Sequence, residues 1–342
     1  MSAPLLRWIF LGFCALIWRW NRKLGAQTPL TLRSELLWIA GFMVIPSGLW
    51  LIWSHSALAM LSWVLTLAIL LRTGWRLAMR QVDFAAVRSR PADVPWAKGR
   101  FLTTRALQIR SYSFDDAPAH LQGLSVVLLS DLHCDGWPEP AWYDRYWQIV
   151  KGLQPDLILI AGDFLTRPES LPLVRRCLRD LGRIHPSLGI HAVLGNRDQD
   201  SIEGLKEILR ERSVEILHDE SRTLVHPNGR SIRLAGTSWP WCGSEGVRKC
   251  MADGAVDIAL THTPDNAQEL ANAGAGWILA GHTHGGQIAL PLIGGIIAPN
   301  GGRRIYGHHV VSHSHLVVTS GVGCSRLPVR CLVHPEIAFL RF

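Results

Sequence analysis

Apolar residues are unevenly distributed along this 342-residue chain. Two long uncharged runs stand near the start. LLWIAGFMVIPSGLWLIW covers 36–53 and ALAMLSWVLTLAILL covers 57–71, with only SHS between them. A helix needs about 20 largely apolar residues to cross a bilayer, with about 17 near the lower limit. The first run reaches that length, and the second reaches it with its flanks. The pattern therefore predicts a transmembrane hairpin over 36–71. Trp38, Trp50, Trp53 and Trp75 fall near the run ends, as an interfacial aromatic belt would. Arg19, Arg22, Lys23 and Arg33 precede the hairpin, Arg72, Arg76 and Arg80 follow it, and the connecting loop has no basic residue. Both flanks are thus expected in the cytoplasm. WIFLGFCALIW at 8–18 is too short to span comfortably and reads as an interfacial anchor within a basic N-terminal segment, 1–35.

From residue 72 to 118 the chain is basic, and it is expected to be a juxtamembrane linker lying on anionic lipid. From 119 to 342 the pattern changes. Short β-branched or Leu-rich runs each end in Gly, Asp, Asn or His. They are LSVVLLSDLH at 124–133, PDLILIAGDF at 155–164, GIHAVLGNRD at 189–198, VDIALTHTP at 256–264 and GWILAGHTHGG at 276–286. Helix-like stretches such as LPLVRRCLRDLGRI at 171–184 and SIEGLKEILRER at 201–212 lie between them. Buried strands alternating with helices predict an α/β domain, with a site along one edge of a sheet.

Composition narrows the classes. The formal net charge is +8, but much of the excess borders the apolar runs and suits membrane placement. No aromatic-basic signature or zinc-finger spacing is present, so no nucleic-acid partner is expected. The seven cysteines, Cys14, Cys134, Cys177, Cys242, Cys250, Cys324 and Cys331, are odd in number and scattered. That argues against a disulfide framework and fits a reducing compartment.

The five strand ends carry Asp131, His133, Asp163, Asn196, His262, His282 and His284, three oxygen donors and four imidazoles. This is a metal-ligand inventory larger than one cation needs. Two cations sharing one carboxylate would use it, and such a pair stabilises both the attacking and leaving oxygens of an in-line displacement at phosphorus. Any single Asp-x-His or Gly-Asp pair is more often a turn. Five in order, each after an apolar run, point to chemistry.

The series SDLH, GDF, GNRD, THTP and GHTHGGQI resembles the calcineurin-like metallophosphoesterases over roughly residues 120–342, including the GVG…LPVR…PEI run at 321–337. That resemblance implies a four-layer α/β/β/α sandwich with a dinuclear centre, most often Mn2+. It implies that Asp131, His133 and His284 hold one metal, that Asn196, His262 and His282 hold the other, and that Asp163 bridges. The departure is Arg197, where the family usually has a His that assists the leaving group. Arginine cannot serve as a general acid, but it can hold phosphate oxygens bidentately. A phosphate-monoester leaving group needs no proton, since its second pKa is about 6. GNRD therefore favours a pyrophosphate bond, with Asp163, Asn196 and Arg197 as the catalytic residues.

The block also resembles the membrane-anchored UDP-2,3-diacylglucosamine diphosphatases of lipid A biosynthesis. This resemblance implies a glycolipid nucleotide substrate, UMP and a diacylglucosamine 1-phosphate as products, and the cytoplasmic face of a bacterial inner membrane. Three alternatives stay open on the sequence. Arg197 could be salt-bridged to Asp198 in a general phosphodiesterase. The substrate could be another lipid or nucleotide. The chain could also be a metal-binding membrane protein without turnover. Of the other motifs, YGHHVVSHSH at 306–315 reads as a strand with solvated imidazoles rather than a third metal site. IALPLIGGIIAPNGG at 288–302 reads as core packing or an acyl-admitting lip. The aromatics of DGWPEPAWYDRYW at 135–147 and WPWCG at 239–243 carry no assignment.

Overall fold

Strands buried on both faces account for the uncharged runs of the C-terminal part. The computed structural model describes residues 90–93, 103–135, 138–238, 242–290, 294–295, 304–325 and 327–342. The chain divides into Met1–Asp83 and Phe84–Phe342, and every described residue lies in the second unit. Among the described residues no helix is long and apolar enough to cross a membrane. The expected hairpin at 36–71 and the anchor at 8–18 lie outside them.

Sheet one has seven strands in the order β1 (Arg90–Asp93), β2 (Gln108–Ser113), β15 (Glu336–Arg341), β3 (Ser125–Leu129), β4 (Leu157–Ala161), β5 (Ile190–Val193) and β6 (Val214–Ile216). Sheet two has six, in the order β13 (Gly307–Val311), β14 (Ser314–Val318), β10 (Ala275–Ala280), β9 (Val256–Leu260), β8 (Ser231–Gly236) and β7 (Glu220–Val225). Both sheets are mixed. β3 to β6 are parallel in sheet one, and β15 runs against β3. β8, β9, β10 and β14 are parallel in sheet two, while β7 and β13 are antiparallel edges. A short ribbon pairs β11 (Ala289–Leu290) with β12 (Gly294–Gly295).

The side-chain period of two distributes these strands between three apolar layers. On β3, Val127 and Leu129 pack with helices α1 (Pro140–Gly152), α2 (Leu171–Cys177) and α3 (Ile202–Glu211). Val126 and Leu128 point the other way, against Ile258, Leu260 and Leu279 of sheet two. Ile278 and Ala280 of β10 then face α4 (Gly243–Cys250) and α5 (Ala267–Asn272) through Val247, Cys250 and Leu270. The result is helices, sheet, sheet, helices. Each fully buried Leu, Ile or Val in these layers contributes about 1.5–3 kcal/mol.

Two expectations need correction, and one open question is answered. The sheet begins well before residue 119: β1 and β2 lie inside the stretch read as a linker, and Tyr112 and Phe114 are buried. The basic residues in and around these two strands pointed instead to a juxtamembrane linker on anionic lipid. The helix expected over 171–184 stops at Cys177 and resumes as a single turn, Leu181–Arg183. Asp180 and Gly182 are poor helix formers, and Asp180 instead binds Arg183 at 2.8 Å. The aromatics at 142–147 are core: Trp142, Tyr143, Tyr146 and Trp147 are all buried under α1. Residues 136–137, 239–241 and most of 288–302 lie outside the described set. All six described cysteines are free.

Candidate metal centre

The parallel strands of each sheet end at one shared edge, and the chain turns sharply there. Five of the expected ligands adopt left-handed backbone conformations, with φ of 53° at Asp131, 43° at His133, 56° at Asp163, 70° at His282 and 52° at His284. Non-glycine residues avoid this region, and such strain persists where the surroundings over-determine it, commonly at functional sites. The turns are tied across strands: Asp131 N–H donates to Gly162 O at 2.9 Å and His133 N–H to Asp163 O at 3.0 Å. Close approach also demands missing side chains. A Cβ at Gly195 would collide with Asp163 Oδ1, and one at Gly321 (φ 68°) would collide with Asp131.

These turns bring the residues together in two groups, Asp131–His133–His284 and Asp163–His262–His282, each with its ligand atoms within 4.8 Å of one another. In the first, His133 Nε2 and His284 Nε2 are 3.1 Å apart, and Asp131 Oδ1 is 3.4 Å from His284 Nε2. In the second, His262 Nε2 lies 3.0 Å from His282 Nδ1 and 3.2 Å from Asn196 Oδ1. Asp163 stands between the groups, with Oδ2 3.6 Å from His133 Nε2 and Oδ1 3.6 Å from His262 Nε2. All seven expected ligands thus converge on one edge.

The surroundings suit cations. Burial lowers His133 to about 3 and His282 to about 4, and it lowers His284 as well, so these imidazoles are neutral at pH 7 and can ligate. Burial, then the charge of Asp131, pushes the Asp163 carboxyl well above its usual range. Asp131 Oδ1 is buried with no hydrogen-bond partner. Two neighbouring buried carboxyls with one orphaned oxygen form a cradle that positive charge would relieve. The donor set of carboxylates, an amide oxygen and imidazoles fits two divalent ions.

Supporting residues fix the rings. His262 Nδ1 donates to Ala161 O at 2.6 Å, leaving Nε2 to face the cluster. His133 Nδ1 meets Thr166 Oγ1 at 2.8 Å. Arg330, fully buried, binds Gly323 O through Nε (2.8 Å) and Nη2 (2.6 Å) and approaches His284 Nδ1 at 3.3 Å. Neither Thr166 nor Arg330 was singled out from sequence. Thr166 sits two residues beyond Phe164, past the GDF block, and Arg330 belongs to the LPVR stretch far along the chain.

Arg197 and Asp198 part company. Asp198 is buried and accepts from the backbone N–H groups of Asp163, Phe164 and Gly195, each at 2.8 Å. It clamps the ends of β4 and β5 and is not a salt-bridge partner of Arg197. Among the described residues Arg197 is in no ion pair. Its N–H donates to Asp163 Oδ1 at 2.8 Å, and its half-buried guanidinium charge is felt at His133, His282 and Asp163.

A two-sheet sandwich with a double carboxylate–imidazole cluster at its strand ends is the architecture of a two-metal phosphohydrolase. This chain carries a calcineurin-like metallophosphoesterase domain: residues 124–286 match the family model for calcineurin-like phosphoesterases. It is 27% identical over 247 residues to the uncharacterized metallophosphoesterase YkuE of Bacillus subtilis, covering 70% of this chain and 86% of that protein. It is 29% identical over 222 residues to the phosphodiesterase YaeI of Escherichia coli, covering 63% and 80%. It is 25% identical over 225 residues to the UDP-2,3-diacylglucosamine pyrophosphatase LpxG of Chlamydia trachomatis, covering 51% and 67%. The domain is that of a metal-dependent phosphohydrolase.

Proposed function

We propose that this protein hydrolyses the pyrophosphate bond of UDP-2,3-diacylglucosamine to UMP and 2,3-diacylglucosamine 1-phosphate, working at the cytoplasmic face of a bacterial inner membrane. The observation that carries this reading is Arg197, which stands beside both metal groups with its charge uncommitted to any ion pair among the described residues. Support comes from the similarity to the Chlamydia relative, named as a UDP-2,3-diacylglucosamine pyrophosphatase. The uncharged runs at 36–53 and 57–71 and the basic stretch after them suit a substrate with two acyl chains.

Asp131, His133 and His284 would hold one divalent ion, and Asn196, His262 and His282 the other, with Asp163 shared; Mn2+ is the expected metal. Bound there, the ions would supply Lewis acidity and an activated water for in-line attack. Arg197 holds the non-bridging oxygens and neutralises the charge that grows in the transition state. Water adds to one phosphorus and the bridging P–O bond breaks. The leaving phosphate monoester departs without a proton from the protein, and the proton released from water goes to solvent.

A second reading is a phosphodiesterase for another lipid or nucleotide, favoured by the somewhat higher identity to the Escherichia coli phosphodiesterase. Arg197→His separates the two. For the pyrophosphate reading, kcat/KM on UDP-2,3-diacylglucosamine falls about 100-fold while turnover of a bis-aryl phosphodiester holds or rises. Equal changes on both substrates favour the phosphodiesterase.

A further inference from the structure

Each metal group contains two imidazole nitrogens facing one another, at 3.1 Å for His133 and His284 and 3.0 Å for His262 and His282. One further histidine pair among the described residues repeats this spacing, away from the metal centre. His308 Nε2 and His315 Nδ1 lie 3.0 Å apart. These residues belong to YGHHVVSHSH, and they are not solvated imidazoles as the sequence suggested. Both are half-buried.

Their placement follows from the register. His308 pairs with Val317 and His315 with Val310 across β13 and β14. Both rings therefore share the face of Val317, which belongs to the core between the sheets. Aromatic walls hold them there. Trp277 stacks on His315 at 5.1 Å and 7°. Phe114, from the other sheet, sets its edge against His308 at 5.7 Å and His315 at 5.2 Å. His309, on the opposite face, turns to Tyr306 O at 3.1 Å.

Two fixed nitrogens 3.0 Å apart form a bite for one ion with metal–nitrogen bonds of about 2.0–2.1 Å. Burial keeps both rings neutral, His308 at about 4 with the neighbouring imidazoles adding to the effect. The exposed Asp116, two residues past Phe114, exerts its charge on both rings and is the candidate for a third ligand, although its carboxylate does not lie within 4.8 Å of both nitrogens in the structure. Imidazoles with one carboxylate suit Zn2+, Ni2+ or Cu2+ better than Mg2+ or Ca2+.

We propose that His308 and His315, with Asp116, form a separate site for one transition-metal ion of the Zn2+ type. The ion would staple the β13 edge of sheet two to the turn that follows β2 of sheet one. The competing explanation is a single N–H···N bond between neutral imidazoles, which needs no metal.

The test counts metal. Full-length, detergent-solubilised protein is dialysed against micromolar Zn2+, and total metal per chain is read by mass spectrometry. Exchange at the dinuclear centre leaves the count unchanged. Wild type is expected to hold three ions and His315→Phe two, with the melting temperature rising on Zn2+ addition more in wild type than in the variant. Phenylalanine keeps a ring against Trp277 and Phe114; His308→Gln serves if that variant does not fold. His309→Phe should keep three, and Asp116→Asn should weaken the third ion about ten-fold. Two ions in wild type, or three surviving in both His315→Phe and His308→Gln, would overturn the proposal.

Discussion

The two halves of the metal centre are walled differently. Asp131, His133 and His284 are all buried, and Thr166 and Arg330 stand behind the two rings. In the other half His262 is buried against the Ala161 carbonyl, but Asn196 and His282 are half-exposed, and Arg197 stands at the same opening. The closed half is built to hold an ion in fixed geometry. The open half is where a phosphoryl group can enter, and the Arg197 guanidinium, in no ion pair among the described residues, is placed on that side. Asp163 joins the two, and Asp198 holds Asp163 from below by its backbone.

That contrast can be broken at its junction. Asp163→Ala removes the shared carboxylate, so turnover should fall by about 1000-fold or more. Metal analysis should show fewer than two ions at the dinuclear centre; two retained ions with near-normal turnover would refute a bridging role. Asp198→Ala leaves three close backbone donors without their acceptor. Each buried unsatisfied donor costs about 1–3 kcal/mol, so urea unfolding should report a loss of about 3 kcal/mol or more. Asp198→Asn, which retains one oxygen acceptor, should lose less.

A milder change sharpens the comparison. Thr166→Val takes the hydrogen bond from His133 in the closed half only. The affinity of the ion held by Asp131, His133 and His284 should drop about ten-fold, read by titration, while the other ion keeps its affinity. Equal loss of both would mean that the halves are not independent.

The smallest effect is expected from pH. In the metal-free protein, His133 (about 3) and His282 (about 4) sit below the ordinary histidine value near 6.5. The unfolded chain therefore binds protons that the folded one refuses. Their contribution to stability is present above about pH 6.5 and is lost as pH falls toward 4. Asp163 acts in the opposite sense: its raised folded value costs stability as pH rises above the unfolded carboxylate value. Mn2+ added at pH 7 should relieve that cost and raise the melting temperature. The increment should shrink below pH 6, because ligand imidazoles must be unprotonated to bind.

Much of this was legible in the sequence because strand ends are marked twice. Buried parallel strands are uncharged, and the turns at their ends are rich in Gly, Asp and His, so SDLH, GDF, GNRD, THTP and GHTHGG announced both the elements and the residues that cluster at their ends. The edge strand β1 and its neighbour β2 were hidden, because the basic residues in and around them also mark a juxtamembrane linker. Thr166 and Arg330 were hidden for another reason. They act on ligands through contacts 33 and 46 positions away in the chain, and no local pattern reports such distances. Asp198 was visible as a residue but its role was not, because a carboxylate beside an arginine suggests a salt bridge until its backbone partners are seen.

The central claim is tested most directly by products. Detergent-solubilised protein with Mn2+ is given UDP-2,3-diacylglucosamine, and the mixture is read by mass spectrometry beside Asp163→Ala. The account predicts UMP and the diacylglucosamine 1-phosphate from wild type and intact substrate from the variant. Intact substrate from wild type shown to carry its metals would contradict the assignment and leave a metallophosphoesterase for a different phosphoester.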